Sequence, residues 1–216
     1  MKTKLFLFGI LLTLFCACKT KTIDDKYNST TYDDDMKSFS ASKAFSNDEQ
    51  KLLASYINSR NGDTSALSKS YKTLLEEAKA LEKQKQDYEA KQKQLNEQLI
   101  IYLKNKKTET VYRDGVWNNE VILTANFKNN SRRTINGFTF NLSFLNANNE
   151  PIANQTWTLD NTLKENAAKT ISFSAGIVDN NNEASVKIKI ADLSKIKTKY
   201  QVTQLLFNDG TSISLN

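Results

Sequence analysis

The spacing of apolar residues changes once along this chain, near residue 107, and that change constrains the fold most strongly. Residues 64–105 contain neither glycine nor proline, and their apolar positions recur three and four apart. From Thr108 onward the apolar positions recur every second residue. The first spacing is typical of a helix buried on one face, and the second of a half-buried strand. We therefore predict an α+β multidomain protein in which helices precede a β domain.

A first helix is predicted to begin at Ser46. Ser46 and Glu49 stand three residues apart, the spacing of a capping box. Its apolar face is formed by Leu52, Leu53, Tyr56 and Ile57. Asn61-Gly62-Asp63 ends this helix, and Thr64 or Ser65 can cap the next one.

The second helix is predicted to extend to about Asn105, roughly 60 Å at 1.5 Å per residue. Its apolar positions follow a heptad pattern: Leu67, Tyr71, Leu74, Ala78, Leu81, Lys85, Tyr88, Gln92, Leu95, Leu99 and Tyr102. Such a seam buries side chains against another helix, although Lys85 and Gln92 weaken its middle. Two interpretations stay open. One is a coiled-coil stalk that joins copies of the chain into a homo-oligomer. The other is a helical hairpin in which residues 46–60 cover one end.

Several strands are predicted between residue 108 and the C-terminus. Their alternating apolar residues are Val121, Leu123, Ala125, Phe127, then Phe138, Phe140, Leu142, Phe144, then Ile171, Phe173, then Val186, Ile188, Ile190, and finally residues 202–207. Turn sequences separate them at Asp114-Gly115, 129–131, 146–149, 179–182 and 208–210. Seven or eight short strands in one domain predict an antiparallel β-sandwich over residues 108–216.

This β domain resembles bacterial immunoglobulin-like modules of the FxLYD type. The resemblance rests on Phe127-Lys-Asn-Asn-Ser131, on the strand from Ile135 to Phe144, on Pro151-Ile152 and on the turn Asp209-Gly210-Thr211. It covers about residues 110–215, with Phe144-Leu145-Asn146-Ala147 at the position of the family signature. The resemblance implies an immunoglobulin-like sandwich that serves as an extracytoplasmic interaction or spacer domain, and it brings no catalytic residues.

The amino terminus has the pattern of an export signal. Lys2 and Lys4 precede an apolar run from Leu5 to Phe15 of about 11 residues. Spanning a bilayer takes about 20 residues, so this run predicts a signal peptide rather than a transmembrane helix. An ordinary secretory leader that happens to contain cysteines is the alternative.

Phe15-Cys16-Ala17-Cys18 resembles a bacterial lipobox. The resemblance implies cleavage before Cys18, leaving residues 1–17 as signal peptide, and a diacylglyceryl group on the Cys18 sulfur with further acylation, such as palmitate, at the new amino terminus. Two or three acyl chains anchor a protein firmly to a membrane. Lys19 follows the cysteine where an aspartate would suggest inner-membrane retention. We therefore expect an outer-membrane lipoprotein of the cell envelope; whether it faces the periplasm or the surface stays open.

Residues 18–45 are polar and aperiodic, which predicts a lipidated flexible tether before a helical segment over 46–107. The acidic run Asp33-Asp34-Asp35 could suggest a cation site, but it lacks the spaced ligands and turn glycine of a calcium loop. A solvated linker is the favoured interpretation.

Composition argues against enzymatic chemistry. The chain has no histidine, no cysteine beyond Cys18 and only six glycines, none clustered into a phosphate-binding loop. We therefore predict a protein that is not an enzyme and that holds no cofactor or metal. Without the leader lysines the formal charge falls from +6 to +4 and is spread thinly, so nucleic-acid binding is not expected.

Trp117 and Trp157 are candidate ligand-stacking residues, because aromatic faces bind sugar rings. Packing in the core or at the rim of a small sandwich is the favoured alternative.

The function that these residues favour is a non-enzymatic lipoprotein, anchored to the membrane by its lipid, that presents a β-sandwich to a protein or glycan partner. A carbohydrate-binding surface lipoprotein that uses Trp117 or Trp157 is one alternative. An extracytoplasmic chaperone or assembly factor that uses the helices is another.

Overall fold

The structure is a computed structural model that describes residues 21–60, 64–113, 115–178 and 183–215. It is an α+β fold of two compact units, one ending at Lys83 and the other beginning at Gln84. The helices are α1 (Tyr32–Ala41), α2 (Asn47–Ser59), α3 (Tyr71–Gln98) and α4 (Glu183–Ile190), with a 3₁₀ turn at Thr64–Ser68. The strands are β1 (Leu99–Arg113), β2 (Val116–Asn129), β3 (Ile135–Leu145), β4 (Pro151–Leu159), β5 (Ala168–Ile177), β6 (Lys197–Phe207) and β7 (Ser212–Ser214).

The predicted flexible tether is wrong for residues 32–45, which are folded. α1 begins at Tyr32, and the side chains of Phe39 and Phe45 are buried in the core of the first unit. The Phe39 ring lies edge-on to Phe45 and to Tyr71, with ring centroids 5.3 and 5.1 Å apart. Residues 32–45 contain few apolar residues, but they are ordered because Phe39 and Phe45 are buried against later helices. Local periodicity in the sequence does not predict this burial. Residues 1–20, including Cys18, lie outside the described residues.

The predicted capping box at the start of α2 is confirmed. The Ser46 hydroxyl accepts from the Glu49 backbone N–H at 3.2 Å, and the Glu49 carboxylate accepts from the Ser46 N–H at 2.8 Å. Glu49 also accepts from the Lys79 ammonium at 2.6 Å. The hydrogen bonds from Lys79 and then from Ser46 lower the pKa of Glu49 to about 2. This network ties the first turn of α2 to α3.

The heptad seam of α3 is used in two separate places. In the first unit, Tyr71, Leu74 and Ala78 are buried beside Leu53 and Tyr56 of α2, as the hairpin interpretation expects. In the second unit, Leu95 and Leu99 enter the core of the β domain. Between these ends, Leu81 and Tyr88 are about half exposed. A coiled coil between copies of the chain stays a prediction.

The helix ends at Gln98, so its predicted extension to Asn105 is wrong. Leu99 and Ile101 are buried and alternate with more exposed neighbours, which is strand periodicity. β1 pairs with β2 from Leu99↔Asn129 to Arg113↔Val116. Leu99 fits both the heptad and the alternating pattern, so sequence spacing alone does not fix the boundary. Pairing with β2 decides it.

The β domain consists of two antiparallel sheets with strand orders β1-β2-β5 and β4-β3-β6-β7. The predicted strands around Phe127, Phe140, Phe173 and residues 202–207 are confirmed. The predicted strand at Val186–Ile190 is wrong, because this stretch lies in α4. Its fully buried residues are Ser185 and Ile188, three apart, which is helical spacing.

Lys106 of β1 caps the carboxyl end of α4. Its ammonium donates to the carbonyl oxygens of Ile188 at 2.8 Å and Lys189 at 2.7 Å, and also to that of Ala191. A cation at this end of a helix satisfies carbonyl groups that have no partner within the helix. Burial lowers the pKa of Lys106.

Aromatic rings join the two sheets. Phe127 of β2 contacts Phe138 and Phe140 of β3, with ring centroids 5.0 and 5.5 Å apart. Phe140 in turn contacts Phe173 of β5 at 5.7 Å and stacks on Trp157 of β4 at 5.6 Å. The described residues contain no cysteine, so within them this aromatic packing joins the two sheets without a disulfide.

The turn sequences behind the family resemblance have structural roles. Asn129 is fully buried, and its side-chain amide group donates to the carbonyls of Arg133, Leu163 and Lys164 at 2.8 to 3.1 Å. Its side-chain oxygen accepts from the N–H and hydroxyl of Ser131. Asn129 therefore ties the β2–β3 turn to the segment between β4 and β5.

A buried carboxylate organises the first unit. One oxygen of Asp35 accepts from the Tyr71 hydroxyl at 2.6 Å, the Thr31 hydroxyl at 2.9 Å and the Lys21 ammonium at 3.0 Å. Burial alone would raise the pKa of Asp35, but the hydrogen bonds from Tyr71, Lys21 and Thr31 outweigh it and lower that pKa. Asp33 and Asp34 are exposed, so the acidic run is not one solvated stretch.

We predict that Asp35→Asn lowers the free energy of unfolding of the first unit by about 1.5–3 kcal/mol at neutral pH, because it removes a charged acceptor from three donors. The pKa of Asp35 is lower in the folded state than its unfolded-state value of about 4. The ionised carboxylate therefore stabilises the fold above the unfolded-state pKa, and this stabilisation is lost as the pH falls through the folded-state pKa. The wild type and the variant should therefore converge in acid when helix melting is followed by circular dichroism. The exposed Asp34→Asn is the matched control; an equal loss in both variants would contradict the assigned role.

We predict that Asn129→Ala destabilises the β domain by about 2–4 kcal/mol, because it deletes a fully buried amide that donates to three carbonyls and accepts from Ser131. Denaturant unfolding followed by tryptophan fluorescence measures this, since both tryptophans lie in the second unit. Asn130→Ala, at the exposed neighbouring position, should change stability by less than about 0.5 kcal/mol. Similar effects of the two substitutions would refute the role of Asn129.

Candidate binding surface

The β1–β2 hairpin extends beyond the sheet to which it belongs. Among the residues that the structure describes, β5 pairs with β2 up to Glu120↔Ile177, and the final bond on that side runs from the Val178 N–H to the Asn119 carbonyl at 2.7 Å. Residues 110–113 and 115–119 therefore form a two-stranded projection, called here the hairpin arm. The arm turns between the register partners Arg113 and Val116, and Gly115 of this turn has φ +83°, a conformation that glycine adopts without strain.

Two aromatic side chains stand opposite each other near the end of the hairpin arm. Tyr112 and Trp117 are register partners across the strands. Their ring centroids are 5.1 Å apart with the planes at 56°. Tyr112 is 62% exposed and Trp117 is 72% exposed. These two residues, called here the tip pair, present aromatic surface to solvent.

The next rung on the same face is polar and uncharged. Side chains two residues apart on a strand share a face, so Thr110 and Asn119 lie behind Tyr112 and Trp117. The Thr110 hydroxyl donates to the Asn119 side-chain oxygen at 2.9 Å. Charged residues such as Lys107 and Glu109, which form an ion pair, occupy the alternate positions. The face of the hairpin arm that carries the tip pair, called here the neutral face, thus has no charged side chain.

Trp157, the other candidate stacking residue, is packed inside the β domain. Its ring lies against Phe140 and Phe173, with centroids 5.6 and 5.2 Å away. Its indole N–H donates to the Ser174 carbonyl at 2.8 Å, and Gln155 on the same strand donates to the Ala175 carbonyl at 3.1 Å. Trp157 therefore joins β4 to β5 in the way that the core interpretation expects, and Trp117 is the tryptophan with an accessible ring.

Tyr112 was not singled out from the sequence. The signal is nonetheless present, because a two-residue Asp114-Gly115 turn places residues 113 and 116 opposite each other and then 112 opposite 117. Counting outward from the turn would have paired Tyr112 with Trp117.

The first unit carries an open groove of about 350 Å³ lined by Tyr32, Asp33, Met36, Lys37, Ser40 and Gln50. Its lining mixes aromatic, apolar and oppositely charged groups, which does not select one class of ligand.

Among the described residues, no group of three or more histidine, cysteine, aspartate or glutamate side chains is placed to hold a metal ion. No helix in the same ranges has both the length and the apolar character needed to cross a membrane.

Comparison with known proteins gives no family. No protein-family model matches the chain, and no curated protein matches its sequence. The structural-genomics target SoR45 is similar over 55% of this chain and 80% of its own, at 10% identity and a TM-score of 0.29. The trimeric lipoprotein SadB of Salmonella enterica is similar over 87% of this chain and 99% of its own, also at 10% identity and a TM-score of 0.29. At these values neither likeness carries an argument about fold or function.

We predict that the two tryptophans differ in access to solvent. Trp117→Phe should remove most of the iodide-quenchable emission and change the free energy of unfolding by less than about 0.5 kcal/mol, because its ring is mainly exposed. Trp157→Phe should leave that emission and destabilise the domain, because it deletes the bond to Ser174. Steady-state quenching with the two variants tests this assignment, and quenchable emission that survives Trp117→Phe would contradict it.

Proposed function

We propose that this protein is a lipid-anchored envelope lipoprotein without enzymatic activity, which displays a β-sandwich binding domain to a partner outside the cytoplasm. The observation that carries the binding role is the exposed tip pair, Tyr112 and Trp117, on a projecting hairpin arm. Soluble proteins normally bury large aromatic side chains, and paired exposed rings are typical of recognition surfaces.

The strand order supports an immunoglobulin-like assignment for this domain. If the strands β1 to β7 are lettered A, B, C, C′, E, F and G, the sheets read A-B-E and C′-C-F-G. Immunoglobulin-like sandwiches divide their strands between two sheets in a closely similar way. Such domains hold binding loops and hairpins at their ends on a rigid core, which suits a display role.

The anchor part of the proposal rests on the amino-terminal sequence. A short apolar signal followed by Phe15-Cys16-Ala17-Cys18 supports cleavage before Cys18 and lipid attachment to its sulfur. Thioether formation requires a thiol, and Cys18 would be the sole cysteine of the mature chain. A protein held by two or three acyl chains stays on its membrane and can present a folded domain away from it.

The anchor has a direct genetic test. Cys18→Ala should abolish metabolic labelling with an alkyne-bearing palmitate and shift the protein out of the membrane fraction. Cys16→Ala is the matched control and should keep both the label and the fractionation, because the lipid is assigned to Cys18. Labelling that persists in Cys18→Ala and disappears in Cys16→Ala would contradict the assignment.

A further inference from the structure

We propose that the neutral face of the hairpin arm is a binding platform for an uncharged glycan. The tip pair would stack on sugar rings, and Thr110 and Asn119 would bond their hydroxyl groups. This inference rests on the proposed function, since it names the class of partner that the displayed domain would bind.

The tip pair has the geometry of a stacking surface. The two ring centroids lie 5.1 Å apart and the ring planes are inclined at 56°, so neither ring covers the other face to face. The carbon–hydrogen bonds on one face of a sugar ring are weakly positive and pack favourably on the negative face of an aromatic ring. Leaving both rings mostly in water is unfavourable for the free protein, and a stacked sugar would relieve that cost.

The polar rung lies at a suitable distance from the tip pair. Two residues along an antiparallel strand span about 7 Å, comparable to the width of one sugar unit with its hydroxyl groups. Within the part of the chain that the structure describes, the Asn119 amide NH₂ group donates to no partner, while its oxygen accepts from Thr110. This rung therefore offers an amide donor and a hydroxyl group to a sugar whose ring lies over the tip pair.

Charge favours a neutral ligand over other partners. The face formed by Thr108, Thr110, Tyr112, Trp117 and Asn119 has no ionisable carboxylate or amine. It therefore offers no cation for an anionic polymer or a phospholipid headgroup. In the sequence, the charged residues Arg113 and Asp114 lie between Tyr112 and Trp117, and charge so close to the tip pair opposes its insertion into a bilayer.

The test is a titration of the full lipidated protein, purified in detergent, with short neutral oligomers of glucose and of N-acetylglucosamine. We expect at least one series to shift tryptophan emission to shorter wavelength and to give saturable heat in calorimetry. Trp117→Ala and Tyr112→Ala should each weaken that binding about tenfold or more, as truncation of a central aromatic contact does. Tyr102→Ala, which removes another exposed tyrosine of β1, is the matched control and should bind as the wild type does.

Three outcomes would overturn the proposal: no binding to either oligomer series, binding that Trp117→Ala leaves intact, or Trp117-dependent binding to phosphatidylcholine vesicles without any response to sugar. The result is independent of the anchor. If unlipidated Cys18→Ala still binds sugar, the binding platform is supported without the anchor. If the lipidated protein binds neither oligomer series, the platform is refuted and the anchor is unaffected.

Discussion

The contact of Phe127 with Phe138 and Phe140 is the interaction on which the β domain depends. It joins β2 to β3 across the two sheets, and Phe173 and Trp157 extend the same aromatic cluster to β5 and β4. The described residues contain no cysteine, so no disulfide joins the two sheets within them. β2 is buried around Phe127 and continues, paired with β1, into the exposed hairpin arm. A rigid core thus positions an exposed pair of rings.

Buried polar networks fix the turns and helix ends that the aromatic cluster does not contact. Asn129 connects the β2–β3 turn to the segment between β4 and β5, and Lys106 holds the end of α4 against β1. In the first unit, Asp35 has an equivalent role among Tyr71, Thr31 and Lys21. Each network buries a polar group whose hydrogen bonds are satisfied by several partners, which makes the arrangement specific and makes substitution costly.

Sequence spacing predicted most of the strands, the capping box at Ser46 and the turn at Asp114-Gly115, because each depends on neighbours close in the chain. It placed the end of α3 and the helix α4 incorrectly, because Leu99 and Ile188 each fit two periodicities and only pairing or packing with distant residues decides between them. The folding of α1 was missed for the same reason, since Phe39 is buried by residues far along the chain. Of the two candidate tryptophans, alternation could not tell the partly buried Trp157 from the exposed Trp117.

The proposed function combines a lipid anchor on Cys18 with a domain whose aromatic hairpin arm faces solvent, and its central claim is the attachment of lipid to Cys18. Mass spectrometry of the amino-terminal peptide of the membrane-purified protein tests that claim most directly. The account predicts a peptide that begins at Cys18 and carries the mass of a diacylglyceryl group with further acylation. An unmodified peptide that begins elsewhere, or one that retains the leader, would contradict it.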